Sequence, residues 1–402
     1  MERRHELIVL LVAAAVYLGT IISPPRLMDD VDAVQAQIAR NMLESGDWVT
    51  ARLNGVPYLE KSPLVYWLIA GSFAIFGVHD WAARLPIALS AIALCWVTAR
   101  MGAWAFSGRV AYYAGLVMAT CAGLWLFTRI LIPDVMLTLV IALAMWVFLR
   151  ALEGDGRRWA YAFWACIGIG VLLKGLVAAV FPIAAGAVYL AVTRSDWRRL
   201  HPFTGAPIAL VIAAPWHVAA TLANPPYVDL TPRSEAGQYH GFFWFYFLNE
   251  HVFRFLNMRY PRDYNTVPRP LFWLLHLLWL FPWSVYLPQV FRLSYRPVDR
   301  AGRMRLLALC WAGFVLVFFT FSTTQEYYSM PAYPALALLL ACGAGCQPAA
   351  GRQPARAARA AAAICLAAVV FILIRVWNQP APGDISQALT SNPEAYTLSL
   401  GH

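Results

Sequence analysis

The stretch MDDVDAVQAQIARNMLESGDWVTARLNGVPYLEKSPLVYW occupies residues 28–67 and closely follows an apolar N-terminal segment. Val31, Val34, Ile38 and Met42 recur at helical spacing beside polar residues, which predicts an amphipathic helix lying on a membrane surface. Residues 63–77 predict a second helix of the same kind. Charged groups are concentrated in this stretch. Those that could bind a ligand or take part in catalysis are Asp29, Asp30, Asp32, Glu60 and Lys61.

The composition around this stretch is that of a membrane protein. The chain has 402 residues, of which 60% are hydrophobic and 13% charged, whereas soluble domains carry roughly 25% charged residues. Mean hydropathy is +0.57. The apolar segment at residues 7–22 resembles a signal peptide, but it lacks a small-residue cleavage pattern and Pro24-Pro25 follows it. We therefore expect it to be retained as a first helix.

A membrane-spanning helix requires about 20 apolar residues. This length predicts an all-α polytopic protein with about eleven spans, near residues 7–23, 85–104, 109–127, 135–151, 159–173, 175–193, 205–222, 271–291, 305–322, 330–346 and 360–377. All seven cysteines fall in apolar segments. We expect them to be buried apolar side chains without disulfides or thiolate-bound metal.

Arginines in the short loops set the expected orientation, because cytoplasmic loops carry an excess of basic residues. One arrangement satisfies every short loop, with the N-terminus inside and the C-terminus outside. The cytoplasmic arginines are then Arg3, Arg4, Arg100, Arg109, Arg150, Arg157, Arg158, Arg194, Arg198, Arg199, Arg292, Arg296, Arg300, Arg303, Arg305, Arg352, Arg356 and Arg359. The net charge of +10 is therefore mainly a topology signal, and we expect no nucleic-acid partner.

The predicted organisation is one transmembrane domain, residues 1–377, followed by a short outer tail at residues 378–402. Two outer loops are long, at residues 24–84 and 223–270. The second contains GFFWFYFLNEHVFRFLN, which predicts an aromatic helix at the membrane interface.

The chain has only two lysines, Lys61 and Lys174, against 29 arginines. Both map to the outer side, which suggests that a compact ammonium group matters at these positions. Lys174 lies in the LLKGL hairpin between two spans, where an unpaired cation is costly. Snorkelling of its side chain to the interface is an equally weighted alternative.

Other polar residues leave more than one interpretation open. Arg129 and Asp134 flank the outer end of the third span and form either a structural pair or part of a site. His217 in an apolar stretch is expected to be a packed core histidine. Glu250 and His251 are neighbours that point in different directions on a helix, so the pair is no metal motif.

Carboxylates and cations gathered at a membrane–water boundary suit one chemistry in particular. Lysine and arginine hold a lipid phosphate as a leaving group and stabilise the charge that develops on it. A carboxylate deprotonates an incoming hydroxyl.

The order of motifs resembles the GT-C membrane glycosyltransferases, in the bacterial branch related to protein O-mannosyltransferases and the lipid A aminoarabinose transferase. Beyond residues 29–67, the stretches that carry the resemblance are FGVHDWAARLPIAL, RILIPDVMLT, LLKGL, PWHV, NEHVFRFL, FPWSVYLP and EYYSMPAYPALALL. The resemblance implies a GT-C fold and an inverting sugar transfer from a polyprenyl-phosphate donor. The active site would face the exterior of the bacterial cytoplasmic membrane.

The resemblance also implies roles for individual residues. An aspartate at the start of the first outer helix is the family's base, but its aligned position here is Val31, so Asp30 is the first candidate, Asp32 the second and Asp29 the third. The donor phosphate would contact Lys61, Lys174, Arg254, Tyr328 and Arg129, with Glu60 and Asp134 in support.

The family pattern includes a metal pair, which Glu60 and His251 match as candidate ligands for a divalent cation; we expect no cofactor to be required for the chemistry. Ser62 stands where the family usually has proline. The chain is short for the family, and neither the sugar nor the acceptor (a protein hydroxyl, lipid A or another envelope glycan) can be read from these residues. We expect a monomer.

Two alternatives come from other functional classes. A secondary transporter would place charges at mid-membrane and show repeated halves, and neither is evident in the sequence. A non-catalytic lipid-binding protein of the same fold is the second alternative, favoured by the displaced aspartate motif.

Overall fold

The structure is a computed structural model that describes residues 3–22, 27, 30–235, 238–261, 267–322, 325–345, 363, 371 and 374. The chain divides into two units, Met1–Pro354 and Ala355–His402. In the second unit the described residues 363, 371 and 374 are helical.

The first unit is built from α-helices. In chain order they are α1 (Arg3–Ile22), α2 (Asp30–Ser45), α3 (Leu64–Phe76), α4 (Asp80–Ala105), α5 (Gly108–Thr120), α6 (Ala122–Phe127), α7 (Asp134–Glu153), α8 (Arg157–Lys174), α9 (Val177–Thr193), α10 (Pro202–Ala223), α11 (Arg269–Trp279), α12 (Leu287–Val290), α13 (Arg300–Phe321) and α14 (Tyr333–Gly345).

Shorter elements connect these helices. Strands β1 (Arg52–Leu53) and β2 (Val56–Pro57) form a small antiparallel hairpin in the first long loop. A π-helical segment, Phe243–Phe253, lies in the second long loop. Three 3₁₀ segments occupy Trp197–Leu200, Trp283–Tyr286 and Glu326–Ala332. The all-α fold class is confirmed, because this hairpin is the only sheet in the described part of the chain.

The first ten predicted spans coincide with helical segments, but they are less uniform than the sequence suggests. Among the described helices, α1, α4, α7, α10 and α13 are long and apolar enough to cross a membrane unaided. The predicted span at 109–127 is broken at Cys121, whose extended backbone separates α5 from α6. The span at 271–291 is bent by 99° between α11 and the Trp283–Val290 segment. The eleventh, 360–377, lies almost wholly outside the described residues.

Helix α7 is the centre of the bundle. Within its most apolar window 72% of the residues are buried, compared with 22% in α1. It packs against α8, α4 and α9. Its first residue, Asp134, is itself buried, so the end of the most buried helix carries a carboxylate.

Helices α2 and α3 were predicted as amphipathic and are present, packed against each other. Ile38 and Met42 of α2 are buried as expected, whereas Val31 is 37% exposed. The buried face of α2 is instead extended toward its N-terminus by Asp32 and Gln35. Apolar spacing could not reveal this, because the carboxylate of Asp32 is held by Leu131 and Arg84, which lie far away in the sequence.

The cysteines of the described region are shielded from solvent, as expected of apolar side chains. Cys95, Cys121 and Cys342 are buried, and Cys166 and Cys310 are half-buried. Cys346 and Cys365 lie outside the described residues.

Candidate functional site

A cavity of about 370 Å³ opens where α7, α8, α9, α13 and the two long loops meet. One end is charged and the remainder is apolar. The charged end is lined by Glu60, Lys61, Asp134, Lys174, Glu250, His251 and Arg254, and the apolar wall by Leu137, Leu176, Val177, Val180, Phe181, Val252, Phe255, Leu256, Phe318, Phe319 and Pro331. Seven residues that the sequence singled out therefore line one cavity together with Tyr328.

Lys174 is held at the centre of the charged end. It is the last residue of α8, and its Nζ forms an ion pair with Asp134 at the start of α7. The rings of Tyr327 and Tyr328 lie 5.4 and 5.1 Å from Nζ, within cation–π range. The sequence left open whether Lys174 is paired or snorkels to the membrane interface. It is paired, because it faces a carboxylate inside the protein.

Asp134 has a second oxygen with a different environment. Its Oδ1 contacts Lys174, whereas its Oδ2 is buried without a hydrogen-bond partner among the described residues. Buried polar atoms are normally paired. This oxygen can therefore accept a hydrogen bond from a hydroxyl of a bound ligand.

Lys61 is the more accessible lysine. Its Nζ lies 3.6 Å from Oε2 of Glu60, and its side chain is 26% exposed. Tyr58 donates a hydrogen bond of 3.1 Å to the same oxygen of Glu60. Burial alone would raise the pKa of Glu60, but Lys61 and Arg259 outweigh burial and hold that pKa below its ordinary value. Glu60 is therefore ionised at neutral pH and positions both cations.

A second ionic cluster involves an arginine that sequence reasoning missed. Glu250 accepts from Arg254 at 2.7 Å and from Arg259 at 2.5 Å, and Arg259 also lies 3.4 Å from Glu60. Arg259 thus joins the two long loops. No motif marked it, since it lies beyond the helical segment in an arginine-rich chain.

Ser62 takes part in a buried polar network. Its Oγ donates to the carbonyl of Val171 at 3.0 Å and lies 2.5 Å from the hydroxyl of Tyr246. The same hydroxyl lies 3.3 Å from Nε2 of His217. His217 is buried, as predicted. The family's usual proline has no hydroxyl and could not make these contacts. In this chain, Ser62 and Tyr246 therefore link the first long loop to α8, to the π-helical segment and to α10.

His251 contacts the hairpin that carries Lys174. Its Nδ1 lies 2.6 Å from the carbonyl of Tyr246, and its Nε2 accepts from the backbone N–H of Leu176 at 3.1 Å. Burial lowers the pKa of His251 despite these hydrogen bonds, so the ring is neutral. Gly175, with φ of +78°, leaves room for the ring, since a Cβ there would collide with Nε2.

These contacts do not fit the candidate metal pair of Glu60 and His251. Both ring nitrogens of His251 are engaged with the backbone, and Glu60 faces Tyr58, Lys61 and Arg259. Within the described ranges, no group of three or more His, Cys, Asp or Glu side chains is arranged to hold a metal ion. The pair as placed leaves His251 without a lone pair to offer.

The structure does not bring Asp32 to the cavity. Its side chain is 2% exposed, its Oδ1 accepts from the backbone N–H of Leu131 at 2.7 Å, and its Oδ2 lies 3.4 Å from Arg84. Asp32 therefore fixes the loop before α7. Asp30 begins α2 but its side chain is not among the described ones, and Asp29 lies outside the described residues.

Arg129 is also placed away from this cavity. Its guanidinium lies over the ring of Trp125 at 5.0 Å, and it lines a second cavity with residues of α1, α5 and α6. The first of the two alternatives, a structural pair of Arg129 and Asp134, is not observed; Asp134 pairs with Lys174 instead.

Solved structures with a similar arrangement define the class of fold. ArnT from Cupriavidus metallidurans, bound to undecaprenyl phosphate, superimposes with a TM-score of 0.78 and 27% identity over 94% of this chain and 66% of that one. The apo oligosaccharyltransferase of Archaeoglobus fulgidus gives a TM-score of 0.57 at 14% identity, a likeness of fold alone. The chain has the GT-C fold, and its resemblance to the GT-C membrane glycosyltransferases is confirmed.

Sequence comparison narrows the resemblance. The family model described as Dolichyl-phosphate-mannose-protein mannosyltransferase matches residues 60–218. The undecaprenyl phosphate-alpha-4-amino-4-deoxy-L-arabinose arabinosyl transferase of Aeromonas salmonicida is 29% identical over 323 residues, 77% of this chain and 54% of the relative. The protein of the same name from Erwinia tasmaniensis is 28% identical over 319 residues, 76% of this chain and 53% of the relative. The chain spans about half the length of these curated relatives.

Proposed function

We propose that this chain transfers a sugar from a polyprenyl-phosphate-linked donor to an acceptor hydroxyl, at the outer face of the bacterial cytoplasmic membrane. The observation that carries the proposal is the division of the 370 Å³ cavity into a charged end, with three cations each beside a carboxylate, and an apolar wall. A polyprenyl-phosphate-linked sugar has the same division, with an anionic phosphate head on a hydrocarbon chain.

The charges at the head end suit a phosphate. Lys61, Lys174 and Arg254 line the cavity, and each has a carboxylate neighbour in Glu60, Asp134 or Glu250. These carboxylates limit the cost of holding cations in a partly apolar site. Charge-assisted hydrogen bonds to a phosphate are the stronger class of hydrogen bond, so a phosphate can compete with the looser pair of Lys61 and Glu60.

The reaction follows from this placement. The acceptor oxygen attacks the anomeric carbon, the bond between that carbon and the phosphate oxygen breaks, and the electron pair leaves with the phosphate. Lys61, Lys174 and Arg254 stabilise the charge on the departing phosphate. A carboxylate at the N-terminus of α2 takes the proton of the acceptor hydroxyl, and we assign this role to Asp30, since the carboxylate of Asp32 is committed to Leu131 and Arg84.

The similar proteins support the donor class. The C. metallidurans structure holds undecaprenyl phosphate, and the curated relatives are arabinosyl transferases named for an undecaprenyl-phosphate aminoarabinose. That sugar-lipid is the first donor to test, and lipid A, a protein hydroxyl and another envelope glycan are the acceptors to compare. No step requires a cofactor.

A non-catalytic lipid-binding protein is the second candidate. The specific observation that favours it is the position of the family aspartate, which is Val31 in this chain. Binding without transfer would keep the lipid-phosphate contacts and lack a base.

The two candidates are separated by following the product. Purified protein in lipid nanodiscs is incubated with undecaprenyl-phosphate aminoarabinose and each acceptor class, and mass spectrometry follows sugar transfer. Transfer that depends on Lys61 supports the glycosyltransferase. Donor binding without any transfer, together with an unchanged envelope glycan profile in a deletion strain, would favour the lipid-binding alternative.

A further inference from the structure

Three side chains of the second long loop are connected by hydrogen bonds outside the first cavity. Nδ1 of His240 lies 2.7 Å from Oδ2 of Asp229, and Nε2 of the same ring lies 3.1 Å from Oγ of Ser234. The loop follows α10 and precedes the π-helical segment. None of these three residues lines the first cavity, so the proposed sugar transfer gives them no role.

The carboxylate of Asp229 determines which nitrogen of the ring carries the proton. Asp229 also accepts from the backbone N–H and the hydroxyl of Thr231, at 2.8 and 2.6 Å. Hydrogen bonds from Thr231 and His240 lower the pKa of Asp229 to about 2, so this carboxylate is ionised at neutral pH. In the neutral ring Nδ1 therefore carries the proton, and the lone pair of Nε2 is left for the hydroxyl of Ser234.

The imidazole of His240 is also held from one face. The indole of Trp244 stacks on it, with ring centroids 4.3 Å apart and an angle of 29° between the planes. The indole N–H donates to the carbonyl of Thr231 at 2.6 Å, and Thr231 is the residue that anchors Asp229. A nucleophile, a base within hydrogen-bond reach and a third group that orients the base are the parts that nucleophilic catalysis requires.

The cluster is sheltered but accessible from the outer side. The side chain of His240 is 10% exposed and that of Asp229 is 18% exposed, and Ser234 is half-buried. Gln238 lies close to the serine, because its Oε1 accepts from the backbone N–H of Glu235 at 3.2 Å. The amide NH₂ of Gln238 can therefore donate to an oxygen that gains negative charge beside Ser234.

Apolar side chains flank the cluster in the sequence. Val228 and Leu230 stand on either side of Asp229 and are 67% and 69% exposed. Tyr239 directly precedes His240 and is 58% exposed. Exposed apolar side chains grouped around a polar site mark a surface for an apolar ligand, so the substrate class that suits this site is an ester with a hydrocarbon acyl chain.

We propose that Ser234, His240 and Asp229 form a second active site, which hydrolyses carboxylic esters. Oγ of Ser234 attacks the carbonyl carbon of the ester while Nε2 of His240 takes the hydroxyl proton. The bond between that carbon and the alcohol oxygen breaks, the alcohol leaves with the proton, and the acyl group remains on Ser234. Water then attacks the acyl carbon, His240 takes a proton from the water and returns it to Oγ, and the carboxylic acid is released.

The first test is covalent labelling of the full chain in nanodiscs with a fluorophosphonate, a probe that reacts with activated serines, and mass spectrometry of the modified peptide. Wild type should be labelled at Ser234, and His240→Gln should slow this labelling about 10²–10⁴-fold, the contribution of a general base. Asp229→Asn should slow it too, because an amide does not fix the same tautomer. Ser45→Ala is the matched control, since Ser45 is an exposed serine whose Oγ accepts from a backbone N–H at 3.2 Å. It should be labelled at Ser234 like wild type.

The second test is hydrolysis of p-nitrophenyl butyrate by the same preparations. Ser234→Ala should lower the rate by at least about 10²-fold while polyprenyl phosphate still binds with wild-type affinity, which also shows that the variant is folded. Lys61→Ala should show the reverse pattern, so failure of this inference and failure of the proposed function are distinguishable. A wild-type protein that is not labelled at Ser234, equal labelling rates in wild type and His240→Gln, or equal ester hydrolysis by wild type and Ser234→Ala would each overturn the inference.

Discussion

Every cation that lines the first cavity is held by a carboxylate, and this pairing determines what each residue can do. Lys174 is enclosed by Asp134 and two tyrosine rings, whereas the ion-pair partner of Lys61 among the described residues is Glu60, at 3.6 Å. Lys61 is therefore the cation best able to turn toward a ligand. Lys174 is held in place and is better suited to stabilise a negative charge without moving. We expect the aspartates at the start of α2 to divide in a similar way, with Asp32 in a structural role and Asp30 as the proposed base.

The first prediction concerns these aspartates. General-base catalysis contributes about 10²–10⁴-fold to rate, so Asp30→Asn should lower turnover by about that range with an unchanged melting temperature. Asp32→Asn should act on stability instead, since breaking a buried ion pair costs about 3–5 kcal/mol. Turnover and thermal unfolding are measured on the same detergent-purified variants. A fully active Asp30→Asn beside an inactive, normally folded Asp32→Asn would reverse the assignment.

At the scale of elements, the α8–α9 hairpin is positioned from outside by the π-helical segment. His251 accepts from Leu176, Tyr246 bonds Ser62, and Ser62 bonds Val171. One polar network therefore sets the positions of Lys61 and Lys174 relative to each other. The network involves residues 62–251, which explains why no local pattern in the sequence reveals it.

The second prediction tests this positioning. Gly175→Ala should displace His251 and weaken polyprenyl-phosphate binding, because the added Cβ collides with the ring. Gly46→Ala is the matched control: Gly46 has a similar φ of +71°, but nothing lies within 4 Å of an added Cβ. Both variants carry backbone strain, and only Gly175→Ala should lose affinity. Equal polyprenyl-phosphate affinities in the two variants would show that the position of His251 does not affect donor binding.

The third prediction concerns Ser62. Ser62→Ala removes two hydrogen bonds of a buried network, each worth about 0.5–1.5 kcal/mol, while the carbonyl of Val171 keeps the N–H of Gly175 and the hydroxyl of Tyr246 keeps His217. The melting temperature should fall in Ser62→Ala, whereas Thr at this position should retain part of the stability through its hydroxyl. An unchanged melting temperature in Ser62→Ala would mean that the network contributes nothing to holding the loops together.

At the scale of the whole molecule, the arginine distribution predicts the orientation of the bundle. Arg150, Arg300 and Arg303 meet acidic residues at the end of α7 opposite to Lys174 and Asp134, so the two ends of the bundle are chemically distinct. The first cavity belongs to the end that the positive-inside rule assigns to the exterior.

The fourth prediction follows from this asymmetry. Reporter fusions after Arg199 and after Arg359 should both report a cytoplasmic location, and a fusion at Gly55 in the β-hairpin should report the exterior. A periplasmic signal after Arg199 would show that the orientation is the reverse of the predicted one. The first cavity would then lie on the cytoplasmic side, which is the wrong side for the proposed donor.

Much of the fold could be read from the sequence, because apolar length and arginine placement are local signals. The break at Cys121 and the 99° bend before Trp283 could not be read in this way. The backbone N–H of Ala122 donates to the carbonyl of Phe281, so the two breaks meet in space although they are far apart in the sequence. In the site, the resemblance identified Lys61, Lys174, Asp134 and Tyr328, which meet in one cavity. It did not predict Arg259 or the burial of Asp32, because those depend on contacts with Glu250 and Arg84 from other parts of the chain.

We propose that the first cavity holds a lipid phosphate on its cations. The most direct measurement is the binding of radiolabelled polyprenyl phosphate to detergent-purified variants, with Arg40→Ala as the control because Arg40 is an exposed cation of the same outer loop, paired with Glu44. Lys61→Ala should weaken binding about ten- to hundredfold, Lys174→Ala should weaken it less, and Lys61→Arg should recover only part of the loss, because a planar guanidinium does not replace a compact ammonium. Affinity equal to that of Arg40→Ala in both alanine variants would contradict the account.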